Sequence, residues 1–139
     1  MPALAFFHIS IPEYKEVWRT KVCYGHRLER EGSPRINSGM FAAMIEEGGI
    51  MGTFVGHDHS NDYWGELHGI RLCYGRSTGY NAYAPWLYPR GARVIRLQEK
   101  ESGRFTTWLR LGNGKKIAKQ RKHSPWNPVS RLLRIFERD

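Results

Sequence analysis

Three histidines stand where the sequence could bind metal ions. His57-Asp58-His59 follows an apolar run and a glycine, and His8 follows a second apolar run nearer the start of the chain. Imidazole is a ligand for zinc, iron and manganese, and two histidines one residue apart on a tight turn can face two adjacent metals. His8, His57 and His59 are therefore the candidate metal ligands. The structural alternative is a polar turn at 57–59 and a satisfied strand-end histidine at 8.

The apolar pattern predicts the elements that must position these histidines. Residues 3–7 and 50–55 are strand-like runs, and helical spacing predicts a helix over 13–19 and another beginning at Met40, with Asn37 or Ser38 as its cap. Residues 20–36 show no periodicity and are predicted as a surface loop. A strand-helix-strand unit places His8 and His57 at the carboxyl ends of adjacent parallel strands, where α/β sheets bind ligands.

Beyond residue 63 the sequence becomes β-rich. Five short runs predict a β meander, with turns at His68-Gly69 and Asn113-Gly114; the runs are Trp64 to Leu67, Ile70 to Tyr74, Ala92 to Gln98, Phe105 to Leu111 and Lys115 to Ala118. Residues 75–90 form a Gly-, Tyr- and Pro-rich loop of lid-like length.

Composition indicates one soluble domain with a basic end. The 139 residues carry a formal net charge of +9 with a pI near 9.9, and residues 121–139 are predicted as a basic carboxyl-terminal tail after a domain spanning 1–120. Such a tail is either solvated or a binding site for nucleic acid or an acidic partner. Cys23 and Cys73 are expected to be reduced and buried. The absence of a signal-like or membrane-spanning segment predicts a cytoplasmic location.

Several motifs in register resemble a known family. The sequence resembles the calcineurin-like metallophosphoesterases, most closely their purple-acid-phosphatase-like single-domain subgroup, over about residues 3 to 111; the matching segments are 5–14, 37–39, 54–63, 73–80 and 90–95. The resemblance implies an α/β fold that is the carboxyl-terminal half of a four-layer α/β/β/α sandwich.

The same resemblance implies a dinuclear metal site that hydrolyses phosphate esters. His8 and His57 would bind one metal and His59 the other, the metals being Fe, Mn or Zn, about 3.5–4 Å apart, with a metal-bound hydroxide as nucleophile. Arg76 and Tyr80 would lie where the substrate is contacted.

Two departures from the family pattern limit this expectation. His8-Ile9-Ser10 stands where the family has His-Ile-Pro, and the family's upstream Asp, Gly-Asp and Asn-His motifs have no substitute in the chain. Without a bridging carboxylate two dications repel each other, so the chain alone is expected to be inactive. A separate amino-terminal half or a homo-oligomer would complete the site. The alternative is a non-catalytic remnant or a binding module that uses the basic tail.

Overall fold

The computed structural model describes residues 1–125 as a small mixed α/β domain with two helices and two sheets. The first five elements are β1 (Ala3–Phe6), α1 (Glu13–Thr20), β2 (Cys23–Tyr24), α2 (Met40–Glu47) and β3 (Ile50–Val55). The remaining strands are β4 (Trp64–Leu67), β5 (Ile70–Tyr74), β6 (Gly91–Leu97), β7 (Phe105–Leu111), β8 (Lys116–Ile117) and β9 (Lys122–His123).

The larger sheet has six strands in the order β1-β3-β5-β4-β2-β9. Its β1, β3 and β5 run parallel, with Leu4 beside Gly52 and Val55 beside Tyr74, and its other pairs are antiparallel. Because β1 and β3 are adjacent and parallel, the loops that follow them leave the sheet at the same edge. The predicted strand-helix-strand arrangement is confirmed.

The second sheet is an antiparallel meander of β6, β7 and β8. The prediction of one continuous meander after residue 63 is therefore wrong, because β4 and β5 form a hairpin within the larger sheet. That hairpin turns at His68 and Gly69, whose φ angles are 48° and 80°, the positive values that a two-residue hairpin turn requires. Residues 75–90 connect the two sheets.

The hydrophobic core lies between the two helices and the larger sheet. Tyr14 and Val17 of α1 are fully buried, and Phe41 and Met44 are the core side chains of α2. The Tyr14 hydroxyl lies 2.8 Å from Thr53 Oγ1 and accepts a hydrogen bond from the Cys73 backbone N–H, so that one side chain joins α1 to two strands. Both cysteines are free and buried, as predicted.

Local details differ from the predictions at three places. Helix α2 begins after Gly39, which has a φ of 77°, and Asn37 Oδ1 accepts a hydrogen bond from the Gly39 N–H without capping the helix. The predicted loop over 20–36 contains β2, and β9 lies in the predicted basic tail. Most of that tail is outside the described residues. Within the described residues, no helix has the length and apolar character needed to cross a membrane.

Candidate functional site

His8 and His57 meet at the carboxyl edge of the larger sheet. Their ring centroids are 5.2 Å apart in an edge-to-face arrangement, and both side chains are exposed. They line one wall of an open cavity of about 240 Å³, to which His59, Arg76 and the loop over 77–79 also contribute. The three predicted metal ligands and Arg76, a predicted substrate contact, thus line one cavity. Tyr80, the other predicted substrate contact, is not among its lining residues.

The turn that carries His57 is strained and tightly bonded. His57 has a φ of 66°, a left-handed conformation that is uncommon for a residue with a side chain. The Asp58 N–H donates to the Gly56 carbonyl at 2.8 Å, and the Gly56 N–H donates to the His8 carbonyl at 3.0 Å. These bonds hold the loops after β1 and β3 together, and backbone strain of this kind concentrates at functional sites.

The side chain of Asp58 anchors the turn to neighbouring segments. Its buried carboxylate accepts hydrogen bonds from the Gly32 N–H at 3.0 Å and from the Tyr74 hydroxyl. Burial, reinforced by the hydrogen bond to Asp58, raises the pKa of Tyr74 well above its usual value, so the phenol remains a donor. Both carboxylate oxygens of Asp58 are therefore engaged.

His59 faces the loop over 75–90. Its Nδ1 lies 3.1 Å from the backbone carbonyl of Tyr83, and its ring stacks on the Tyr83 ring with centroids 4.2 Å apart. A carbonyl can only accept, so Nδ1 must carry a proton, and in the neutral ring Nε2 is then the unprotonated nitrogen. Histidine ligands of metals are usually fixed by a hydrogen bond of this kind from the second nitrogen.

The carboxylates around the cavity are engaged by protein groups. Asp62 pairs with Arg76 and accepts a hydrogen bond from the His26 N–H. Glu31 accepts hydrogen bonds from Arg27 and the Tyr63 hydroxyl. Glu29 accepts hydrogen bonds from the Ser60 N–H and the Tyr83 hydroxyl. Within residues 1–125 no cluster of three or more His, Cys, Asp and Glu side chains could hold a metal ion. The imidazoles thus fit part of a metal centre, and the described residues supply no carboxylate to complete it.

Comparison with known proteins identifies relatives of the chain. The chain is 41% identical over 118 residues to "Probable inactive purple acid phosphatase 29" of Arabidopsis thaliana, which covers 79% of this chain and 30% of the relative. "Probable inactive purple acid phosphatase 14" and "28" of the same plant are each 40% identical over 118 residues, covering 79% of this chain and 29% of each relative. The chain is a homologue of the purple-acid-phosphatase-like proteins of the calcineurin-like superfamily.

This purple-acid-phosphatase-like chain spans about 30% of the length of the curated relatives it matches. No family model matches it. No solved structure matches it either. The relatives therefore establish kinship for the matched stretch, and the activity of a whole phosphatase does not follow from them.

Arg76 is buried in a network of protein contacts. Its guanidinium pairs with Asp62, donates from Nε to the Pro89 carbonyl at 2.8 Å, and lies 3.3 Å above the centre of the Tyr88 ring. Every one of these contacts stabilises the fold. Tyr80 is 80% exposed. Substrate contact by either residue in this purple-acid-phosphatase-like chain stays a prediction.

Four supporting residues were not predicted from the sequence. Tyr74, Tyr83, Glu29 and Gly32 all contact the histidine turn or its neighbours, and a Cβ added to Gly32 would lie 2.8 Å from His57 Cδ2. The polar side chains that follow the turn have partners elsewhere: Asn61 Oδ1, for example, accepts from the Leu28 and Glu29 backbone N–H groups.

Proposed function

We propose that the described residues form the histidine half of a dinuclear metallophosphoesterase site, in which His8 and His57 hold one metal and His59 the other. The observation that carries the proposal is the meeting of His8 and His57 beside a turn whose second histidine bonds through Nδ1 to a backbone carbonyl, which leaves Nε2 facing away from that bond. Both features match what zinc, iron or manganese requires of imidazole ligands.

The chain's own residues would hold and orient the site. The strained turn at His57 and the Gly56 bond to the His8 carbonyl keep the two rings together, and Asp58 keeps the turn in place. When bound, the metals would supply a hydroxide nucleophile and neutralise charge on the oxygens of a phosphate ester. Hydrolysis of phosphate esters is the reaction class that this chemistry serves.

Completion of the site would need carboxylates from outside the described residues. Two dications held at the spacing of a two-metal site repel strongly, and three neutral imidazoles add no negative charge to offset that repulsion. We infer that a separate amino-terminal half or a longer form of the chain supplies them, completing the four-layer sandwich of the family. Strand β1 is the end strand of the larger sheet and is open to such pairing.

A second candidate is a non-catalytic protein. The relatives carry the words "probable inactive" in their names, and the carboxylates near the cavity here are all engaged. Such a protein could use its net charge of +9 to bind nucleic acid or an acidic partner. The predicted basic tail lies mostly outside the described residues, and the cytoplasmic location stays a prediction.

Phosphatase activity tests whether the site needs carboxylates from outside the described residues. The purified chain, supplied with Zn²⁺, Mn²⁺ or Fe³⁺, should show no turnover of p-nitrophenyl phosphate above background, because the carboxylates are lacking. Turnover that His57→Ala and His59→Ala abolish, and that the matched control His68→Ala retains, would overturn the requirement for outside carboxylates. His68 is a suitable control because it is exposed in the hairpin turn between β4 and β5.

A further inference from the structure

A group of contacts from two different loops converges on His59. Tyr83, in the loop over 75–90, stacks on the imidazole and accepts its Nδ1 proton through the backbone carbonyl at 3.1 Å. Within the described residues, Nε2 has no hydrogen-bond partner. The imidazole is therefore held on one face and at one nitrogen by the same residue.

Tyr83 is itself fixed by a carboxylate from the other side of the turn. Its hydroxyl donates to Glu29 Oε2 at 2.9 Å, and Glu29 Oε1 accepts from the Ser60 backbone N–H at 2.6 Å. Ser60 directly follows His59. Glu29 thus ties the loop that covers His59 to the turn that carries it, and a charge-assisted pair of bonds of this kind is stronger than neutral ones.

An arginine fixes the backbone that presents the accepting carbonyl. Arg90 donates to the carbonyl of Ala82, with a longer contact of 3.5 Å to the Tyr83 carbonyl, and to the Ser77 hydroxyl at 3.1 Å. Arg90 therefore fixes the backbone on which the accepting Tyr83 carbonyl lies, and it ties that backbone to Ser77 near the start of the loop. A loop held only by solvent would not set a ring tautomer.

We propose that Tyr83 is a positioning residue for His59, with Glu29 as its anchor, and that it fixes the Nδ1-protonated tautomer so that Nε2 is presented to the metal. The inference rests on the proposed function for the role of Nε2 as a ligand. The tautomer itself is a property of the chain without metal. The two statements can therefore fail separately.

The first test reads the tautomer directly in the metal-free chain. Long-range ¹H–¹⁵N NMR at pH 8.5, where an ordinary imidazole is neutral, should show the ring proton of His59 on Nδ1. Tyr83→Ala removes the stacking ring and the anchor, and should give a mixture of tautomers. Trp86→Ala, a 98% exposed aromatic residue in the same loop, is the matched control and should leave the tautomer unchanged.

Two further variants separate positioning from general stability. Tyr83→Phe keeps the stacking ring and loses the bond to Glu29, and should retain more of the Nδ1–H form than Tyr83→Ala. Glu29→Ala removes the anchor from the other loop and should shift the tautomer in the same direction as Tyr83→Ala. A wild-type chain with mixed tautomers, or variants that leave the Nδ1–H form intact, would overturn the inference, and the wild-type reading needs no variant to fold.

A Zn²⁺ titration then tests the consequence for metal binding. Loss of an orienting group typically weakens a metal site 10- to 100-fold, so Tyr83→Ala should weaken Zn²⁺ binding at His59, followed by the His59 ring ¹⁵N signals, by a factor of about this size, and Trp86→Ala should not. Equal affinity in Tyr83→Ala and wild type would overturn the positioning role. A wild-type chain that fixes the tautomer and binds no Zn²⁺ would support the positioning of His59 and contradict the proposed metal function.

Discussion

His57, a predicted metal ligand, has an unfavourable backbone conformation. Its φ of 66° brings Cβ too close to the following carbonyl, at a cost of roughly 1–2 kcal/mol that glycine does not incur. Glycine nevertheless loses more conformational entropy on folding, which offsets part of that difference. The sequence therefore retains a histidine where local stability alone would favour glycine.

This conflict makes a stability prediction for two variants at one position. His57→Gly should be more stable than His57→Ala by about 1 kcal/mol, because both lack the imidazole and only alanine retains the Cβ strain. Urea unfolding followed by circular dichroism measures the difference. The control is Ala42→Gly, at an exposed position within α2, which should lower the free energy of unfolding by about 1 kcal/mol. Equal stability of the two His57 variants would contradict the account of the turn.

Arg76 supplies a second prediction at the residue scale. The side chains of Arg76 and Asp62 are 4% and 1% exposed, and removal of one partner from a buried ion pair typically costs about 3–5 kcal/mol. We expect Arg76→Met to lower the free energy of unfolding by an amount in that range. A loss below about 1 kcal/mol in urea unfolding would show that the pair is not structural and would favour the predicted contact with substrate.

The types and positions of the histidines predict that they lie together. Nothing in the sequence predicts which residues support them. A histidine after each of two apolar runs predicts two side chains at one sheet edge, and the structure places His8 and His57 there. Tyr83 and Glu29 carry no such signal, because their contacts with the turn span sequence separations of 24 and 31 residues. Only the fold brings them to it.

At the scale of elements, the loop over 20–36 is more ordered than its sequence suggests. It lacks periodicity because its residues contact different partners. Glu29 bonds the histidine turn, Glu31 bonds a tyrosine of the core, and the Gly32 N–H bonds the Asp58 carboxylate. Strands β2 and β9 have two residues each, too few for an alternating pattern to form. By contrast, β4, β5 and β7 have the predicted bounds, since alternation and hairpin turns mark them.

Glu31 anchors this loop and gives it a pH dependence. Burial alone would raise the pKa of Glu31, but hydrogen bonds from Arg27 and Tyr63, at 2.6 and 2.7 Å, outweigh burial and lower it. Because the folded pKa lies below the unfolded value of about 4.3, the stabilisation is complete above that value and is lost as pH falls through the folded pKa.

Glu31→Gln should therefore be less stable than the wild type at pH 7, and the difference should narrow below about pH 4. Thermal unfolding of both proteins across pH 3 to 7 measures it. Glu47→Gln, at the exposed end of α2, serves as the control and should show little difference at any pH. A difference between wild type and Glu31→Gln that stays constant over this range would contradict the ion-pair account.

At the scale of the whole molecule, residues 1–125, the part that the structure describes, have an open side. Strand β1 ends the larger sheet, Phe6 on it is 64% exposed, and β6 ends the smaller sheet. An open cavity of about 410 Å³ with a mainly apolar lining lies between them, bounded by Leu4, Phe6, Ile95 and Leu97. Edges and apolar faces of this kind are normally covered, and the relatives are about three times as long as the matched part.

The sequence thus predicted the meeting of His8 and His57, which the structure confirms, while their role as metal ligands stays a prediction. The four-layer sandwich lies beyond what the described residues contain, since they build two sheets and two helices. Within residues 1–125 the predicted metal ligands share a cavity but do not amount to a metal cluster.

Metal stoichiometry tests the central claim most directly. Calorimetric titration of the purified chain with Zn²⁺ should give one tightly bound ion per chain, with an affinity that His57→Ala lowers at least tenfold and His68→Ala leaves unchanged. Two tightly bound ions per chain would contradict the account, because they would require carboxylate ligands that the described residues do not offer. Binding unaffected by His57→Ala would equally contradict it, since the metal would then lie away from the histidine edge.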